Sequence, residues 1–190
     1  MIAALFVATG GVYFGLPSVD PWDESRDARL YAGPWAVVAH PPCRTWYVMA
    51  LCRPEIRIGD DDGCFASALA SVRLWGGVLE HPAHSRAWGT FGLTRPTERG
   101  WTQAVGDDGW VSSVDQANYG HRARKLTWLY YCGSQPPPTL AWGDGGRREM
   151  TVRNDGGGGR DQRSRTPPEF RDVLIAMAES VALRAPRRIE

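Results

Sequence analysis

Residues 64–84 read CFASALASVRLWGGVLEHPAH, and this stretch decides the fold. Phe65, Ala68, Leu69, Val72, Leu74 and Trp75 recur at helical spacing, so a helix is predicted over 64–75. Gly76-Gly77 ends it, and GVLE (77–80) follows as a strand stopped by Pro82. Toward the N-terminus, WAVVA (35–39) reads as a second buried strand, stopped by Pro41-Pro42. IAALFVA (2–8) is a continuous apolar run of the same kind, ended by Gly10-Gly11. Toward the C-terminus, LTWLYYC (126–132) is rich in β-forming residues. Strands alternating with a helix predict an α/β domain, Rossmann-like, with a mainly parallel sheet.

At 190 residues the chain suits one domain, 1–190, with enough length for a substantial core. Residues 12–34 are turn-rich, with room for a short strand or helix, and 83–113 carry tryptophans and turn residues with no clear period. Residues 133–165 are Pro-rich, then Gly/Arg-rich, and read as a flexible loop. A C-terminal helix is expected over 166–183, with Thr166 as cap, Pro167 in the first turn and Glu169 three residues beyond the cap. Phe170, Val173, Leu174 and Met177 form its apolar stripe.

Function classes narrow on the same arithmetic. No apolar run reaches the ~20 residues of a membrane span, so no membrane partner is expected. MIAALFVATGGVYFGL lacks a basic leading region and reads as a strand rather than a signal peptide. Cys43, Cys52, Cys64 and Cys132 show no disulfide spacing, which points to free thiols in a reducing, cytoplasmic compartment. Net charge is +1, yet 21 of the 22 basic residues are arginine. Arginine suits phosphate and base edges, although GC-rich coding produces the same bias. Oligomeric state is not legible.

Two strands end in reactive clusters: His40-Pro41-Pro42-Cys43 after the second, and Glu80-His81-Pro82-Ala83-His84 at the third. In one parallel sheet both clusters open onto one edge, where ligands of such sheets bind. Prolines there stiffen the chain. A thiol beside a carboxyl and imidazoles makes a nucleophile with an acid–base partner. Pro-Pro as a plain strand terminator, with Cys43 as a small filler, is the other reading. Tyr119-Gly120-His121-Arg122-Ala123-Arg124-Lys125, just before the fourth strand, suits a phosphate or base contact, or a solvated turn. Trp46 and Trp88 lie close to the clusters in sequence and either stack on a base or pack the core.

Together these segments resemble the DNA cytosine-5 methyltransferases, in the compact, truncated form of phage or actinobacterial relatives. VVAHPPC (37–43) matches the strand ending in Pro-Pro-Cys that carries the family's nucleophile. VLEHP (78–82) keeps the glutamate of the Glu-Asn-Val motif and loses the Asn-Val. NYGHRARKLTWLYYCG (118–133) is similar to the Tyr-Gly turn followed by arginines and a strand, with its arginine register shifted. LFVATGGVYFGL (5–16) looks like the cofactor loop, with Ala8 in place of a glycine, and TPPEFRDVLIAMA like the last helix. The segments keep the family's order and cover about half of the chain. Only 40 residues precede Pro41, so SVDPWDESRDARLY (18–31) must supply what two motifs usually supply.

The resemblance implies a reduced class I methyltransferase fold acting on C5 of cytosine in DNA. Cys43 would add to C6, and Glu80, protonated or sharing its proton, would hydrogen-bond N3. Arg122 or Arg124 would hold O2, and the base would flip out of a duplex. S-adenosylmethionine would lie against Phe6, Gly10, Gly11, Asp20, Trp22 and Asp27, and the substrate against His40, Pro42, Trp46, His81, Tyr119 and His121. The Gly/Arg stretch 144–165 would grip phosphates. Two other classes stay open. His40, Cys43, His81 and His84 have ligand-like spacing for Zn²⁺, with Glu80 as acid–base, which would make a hydrolase or deaminase-like enzyme on a nucleobase. A non-catalytic DNA-binding protein of degenerate methyltransferase fold is the third.

Overall fold

The structure is a computed structural model, described here for residues 1–47, 55–133, 137–144 and 165–181. Cys52 and most of the Gly/Arg stretch (145–164) lie outside the described residues. A seven-stranded mixed sheet runs through the molecule in the order β2-β1-β3-β4-β7-β6-β5. Its strands are β1 (Ile2–Leu5), β2 (Val19–Trp22), β3 (Ala36–Ala39), β4 (Gly77–Pro82), β5 (Trp101–Gln103), β6 (Trp110–Asp115) and β7 (Leu126–Cys132). The helices are α1 (Cys64–Trp75), α2 (Arg86–Thr90) and α3 (Pro168–Glu179), with short 3₁₀ turns at Glu24–Arg26, Ala28–Leu30 and Gln116–Tyr119.

The expected parallel character holds for one half of the sheet. β2, β1, β3 and β4 pair in parallel, while β4–β7, β7–β6 and β6–β5 pair antiparallel. The α/β class stands, and "mainly parallel" is corrected to mixed. The missed half comprises α2, β5 and β6. Ser112 and Ser113 break the apolar pattern of β6, although Ser112 is fully buried and bonds the Gly100 carbonyl and Trp142 Nε1.

Side-chain alternation sorts two apolar layers. Ala3, Leu5, Val37, Ala39, Leu79 and Tyr130 face α1 and α2. Ile2, Ala4, Val38, Val78, Leu129 and Tyr131 face α3, which lays down Phe170, Leu174 and Met177. Gly77 has φ +119, and a Cβ there would strike the Val37 backbone, so only glycine lets β4 start this close to β3.

Three boundaries differ from expectation. β1 stops at Leu5 rather than residue 8 because Phe6 turns left-handed at φ 58. β4 continues through His81 and Pro82 because β7 pairs alongside, with Pro82 opposite Thr127. In α3, Thr166 is not the cap: Pro167 holds that position without a side-chain bond, and Pro168 opens the helix.

Candidate active site

β1, β3 and β4 point their carboxyl ends the same way. β7 runs antiparallel to β4, so its first residue lies by Pro82 at that same rim. The β3–β4 register pairs Val37 with Gly77, Val38 with Val78 and Ala39 with Leu79. One step further, His40 and Glu80 come side by side on the α3 face, and His40 Nδ1 lies 2.9 Å from Glu80 Oε2. Glu80 Oε1 accepts from Gln116 Nε2 at 3.0 Å, and Gln116 also donates to Thr127 Oγ1 at 2.9 Å. On the outer side of the imidazole, the Tyr13 hydroxyl is 2.7 Å from His40 Nε2. Five segments of the chain thus share one polar chain through an otherwise apolar layer.

Burial alone would raise the Glu80 carboxyl. The hydrogen bond from His40 and the positive charge of Lys125 outweigh it and hold the group down to about 2. Of the two states expected of Glu80, protonated or sharing its proton, the lowered value favours the second, with His40 as the sharing partner. Cys43 is an exposed residue in a crowded turn. Burial, then the Glu80 charge, pushes its thiol above the usual cysteine range, while Lys125 pulls the other way. One cation and one carboxylate thus act on the same sulfur. An open groove of about 430 Å³ adjoins the turn, lined by Pro42, Arg44, Thr45, Ile56, Arg57 and Asp61 among others.

Arg122 and Arg124 are exposed, and Arg124 Nε leans toward the buried Asp115 at 3.6 Å. Lys125 reaches Glu80 and Cys43 electrostatically instead, and sequence reasoning passed it over for its arginine neighbours. Tyr119 accepts from the Ala141 N–H and packs on Phe170, and His121 bonds within its own turn at Ala123. Trp46 and Trp88 are core residues rather than stacking platforms. Trp46 is enclosed by Phe65 and Phe91 and donates to Asp61, while Trp88 donates to the Thr94 carbonyl.

His81 is not in the site. One residue after Glu80, it points to the opposite face, fully buried between Phe65 and Trp88. His84 lies against Trp128. His40 already spends both ring nitrogens, so the four proposed zinc ligands do not fit a metal ion. Among the described residues, no group of three or more His, Cys, Asp or Glu is arranged to hold one. Cys43 and Cys64 are free thiols, and Cys132 Sγ donates to the Arg73 carbonyl at 4.0 Å.

The expected adenosyl site is also altered. Asp20 spends both oxygens on Arg26 and Trp22 Nε1, and Asp27 spends both on Arg29. Each carboxylate is thus engaged by a neighbouring arginine rather than presented bare to a ribose. Asp23, directly after β2, bridges instead to Thr9 of the β1 loop and caps Ser25. Gly10 leaves open space above that loop at φ 66, and Gly11 folds back onto the Ala8 carbonyl.

No helix among the described residues is long and apolar enough to cross a membrane. No family model, no curated protein and no solved structure matches the chain. The family resemblance therefore rests on the motif residues alone.

Proposed function

We propose that this chain is a DNA-modifying transferase acting at C5 of cytosine, with Cys43 as nucleophile, on a reduced, Rossmann-like methyltransferase domain. The supporting observation is the β3–β4 register: it sets the His40–Glu80 pair beside the turn that bears Cys43, whose thiol feels the Glu80 charge. The C5 position of cytosine is a weak nucleophile. Addition of Cys43 Sγ to C6 makes an enamine-like ring whose C5 takes up an electrophile. The thiol proton passes to the His40–Glu80 pair, and Lys125 offsets negative charge as it develops. Exposed arginines at the rim, Arg44, Arg86, Arg122 and Arg124, suit the phosphates of a nucleic acid. S-adenosylmethionine is the donor the family resemblance implies. Asp20 and Asp27, engaged by Arg26 and Arg29, do not present bare carboxylates to such a donor.

The test needs no donor. In D2O, Cys43 adds to C6, C5 takes a deuteron, the original C5 proton leaves, and the Sγ–C6 bond breaks again. Cytosine-containing DNA incubated with the protein is expected to gain one mass unit per exchanged cytosine, and Cys43→Ser is expected to lose this at least a hundredfold. Exchange that survives in Cys43→Ser, or wild-type protein that exchanges neither DNA, RNA nor nucleotides, overturns the proposal.

A further inference from the structure

The chain of hydrogen bonds through Glu80 ends on a residue that the motifs do not single out. Tyr13 sits in the loop after β1, 3% exposed, with its hydroxyl 2.7 Å from His40 Nε2. Its loop is tied to α3 by Arg171, whose guanidinium donates to the Val12 carbonyl at 2.9 Å. Bond directions follow from the far end. The Glu80 carboxylate has no proton to give, so His40 Nδ1 carries the proton between them. A neutral imidazole of that tautomer presents Nε2 as an acceptor, and the Tyr13 hydroxyl donates to it.

We propose that Tyr13 is the outer member of a Tyr13–His40–Glu80 proton relay, a positioning residue that acts through His40 on proton traffic at the Cys43 site. Its geometry stands without the cytosine reading; only the identity of the group that delivers the proton rests on that reading. Nδ1 faces buried Glu80 and Nε2 faces Tyr13, so a proton reaches the ring through the tyrosine oxygen. When a proton arrives at that oxygen, the tyrosine's own proton passes to Nε2. The delivering acid's bond to its proton breaks as the new O–H bond forms, the acid keeping the electron pair, and the old O–H bond breaks as the N–H bond forms. Tyr13 ends neutral, and His40 becomes an imidazolium paired with Glu80. The return path reverses each transfer, with no electrons exchanged. Burial first, then the charge of Glu80, holds the Tyr13 hydroxyl well above the usual tyrosine range; Asp172 adds to this and Arg171 opposes it. Tyr13 therefore passes protons without resting as a phenolate.

Nitrogen NMR of the full chain with ¹⁵N-labelled histidine tests this without any substrate. In the neutral imidazole of His40, Nδ1 is expected to carry the proton and Nε2 to show the shift of a hydrogen-bonded acceptor. Tyr13→Phe is expected to move Nε2 to the position of an unbonded acceptor while Nδ1 keeps its proton. In the deuterium-exchange assay, Tyr13→Phe and His40→Gln are each expected to lower kcat about a hundredfold with KM within about twofold. The double variant is expected to be no slower than the slower single. A proton on Nε2 in the wild type, an unmoved Nε2 in Tyr13→Phe, or losses that multiply in the double variant overturn the relay. Absence of exchange in the wild type overturns the cytosine reading instead, and the NMR result then decides the relay alone.

Discussion

Glu80 and His81 are neighbours in sequence with opposite fates. Pleating turns one to the α3 face, where His40, Gln116 and Lys125 keep it ionised, and the other to the α1 face, sealed between Phe65 and Trp88. Burial lowers His81 to about 4, against the opposing pull of Glu80 and the Pro42 carbonyl. The unfolded chain binds this proton more tightly than the folded one. Stability is therefore full above the ordinary histidine value of 6.5 and is lost as pH falls toward about 4, by on the order of 3 kcal/mol. His81→Phe is expected to be neutral or stabilising at pH 7 and to flatten thermal stability between pH 6.5 and 4, read by melting curves. Glu80 acts lower on the scale. Its folded value is depressed from 4.5 to about 2, so its contribution is present above 4.5 and lost as pH falls through about 2. In Glu80→Gln, the further acid loss below pH 4.5 is expected to shrink.

Elements followed the sequence where one period governed them. Cys64–Trp75 and Leu126–Cys132 were legible to the residue, because helical spacing and an unbroken run of β-formers leave no rival reading. β5 is three residues long and α2 five, too short for any period to show. The start of α1 is held from outside the helix. Asp61 accepts from the Gly63 and Phe65 N–H groups and from Trp46 Nε1. Asp61→Ala is expected to cost about 2 kcal/mol or more in chemical denaturation, since it removes a helix-end acceptor and orphans a buried indole. Gly77→Ala is expected to cost at least about 3 kcal/mol or prevent folding, because its Cβ would meet backbone that cannot move aside.

At the scale of the whole molecule, the antiparallel β7 delivers the 119–125 turn to the rim already occupied by β3 and β4. That turn carries the exposed Arg122 and Arg124, although the net charge of the chain is only +1. On the nucleic-acid reading, Arg122→Ala/Arg124→Ala is expected to weaken DNA binding about tenfold at low salt and to reduce the steepness of its salt dependence, measured by titration across salt concentrations. Arg122→Ala alone is expected to leave folding unaffected, whereas Arg124→Ala also removes the cation facing buried Asp115 and is expected to lower the melting temperature.

The α/β class, the buried strands, the long first helix and the two clusters at strand ends were all legible along the chain. Each is written in local periodicity or in residues adjacent along the chain. The tertiary structure alone decided that half the sheet runs antiparallel and that His40 pairs with Glu80 while His81 is sealed away. It also decided that Tyr13 and Gln116 complete the polar chain and that Lys125 supplies its charge. Strand register and sheet order are set by packing between residues far apart in sequence, and a shift of one residue would have sent each of these side chains to the other face.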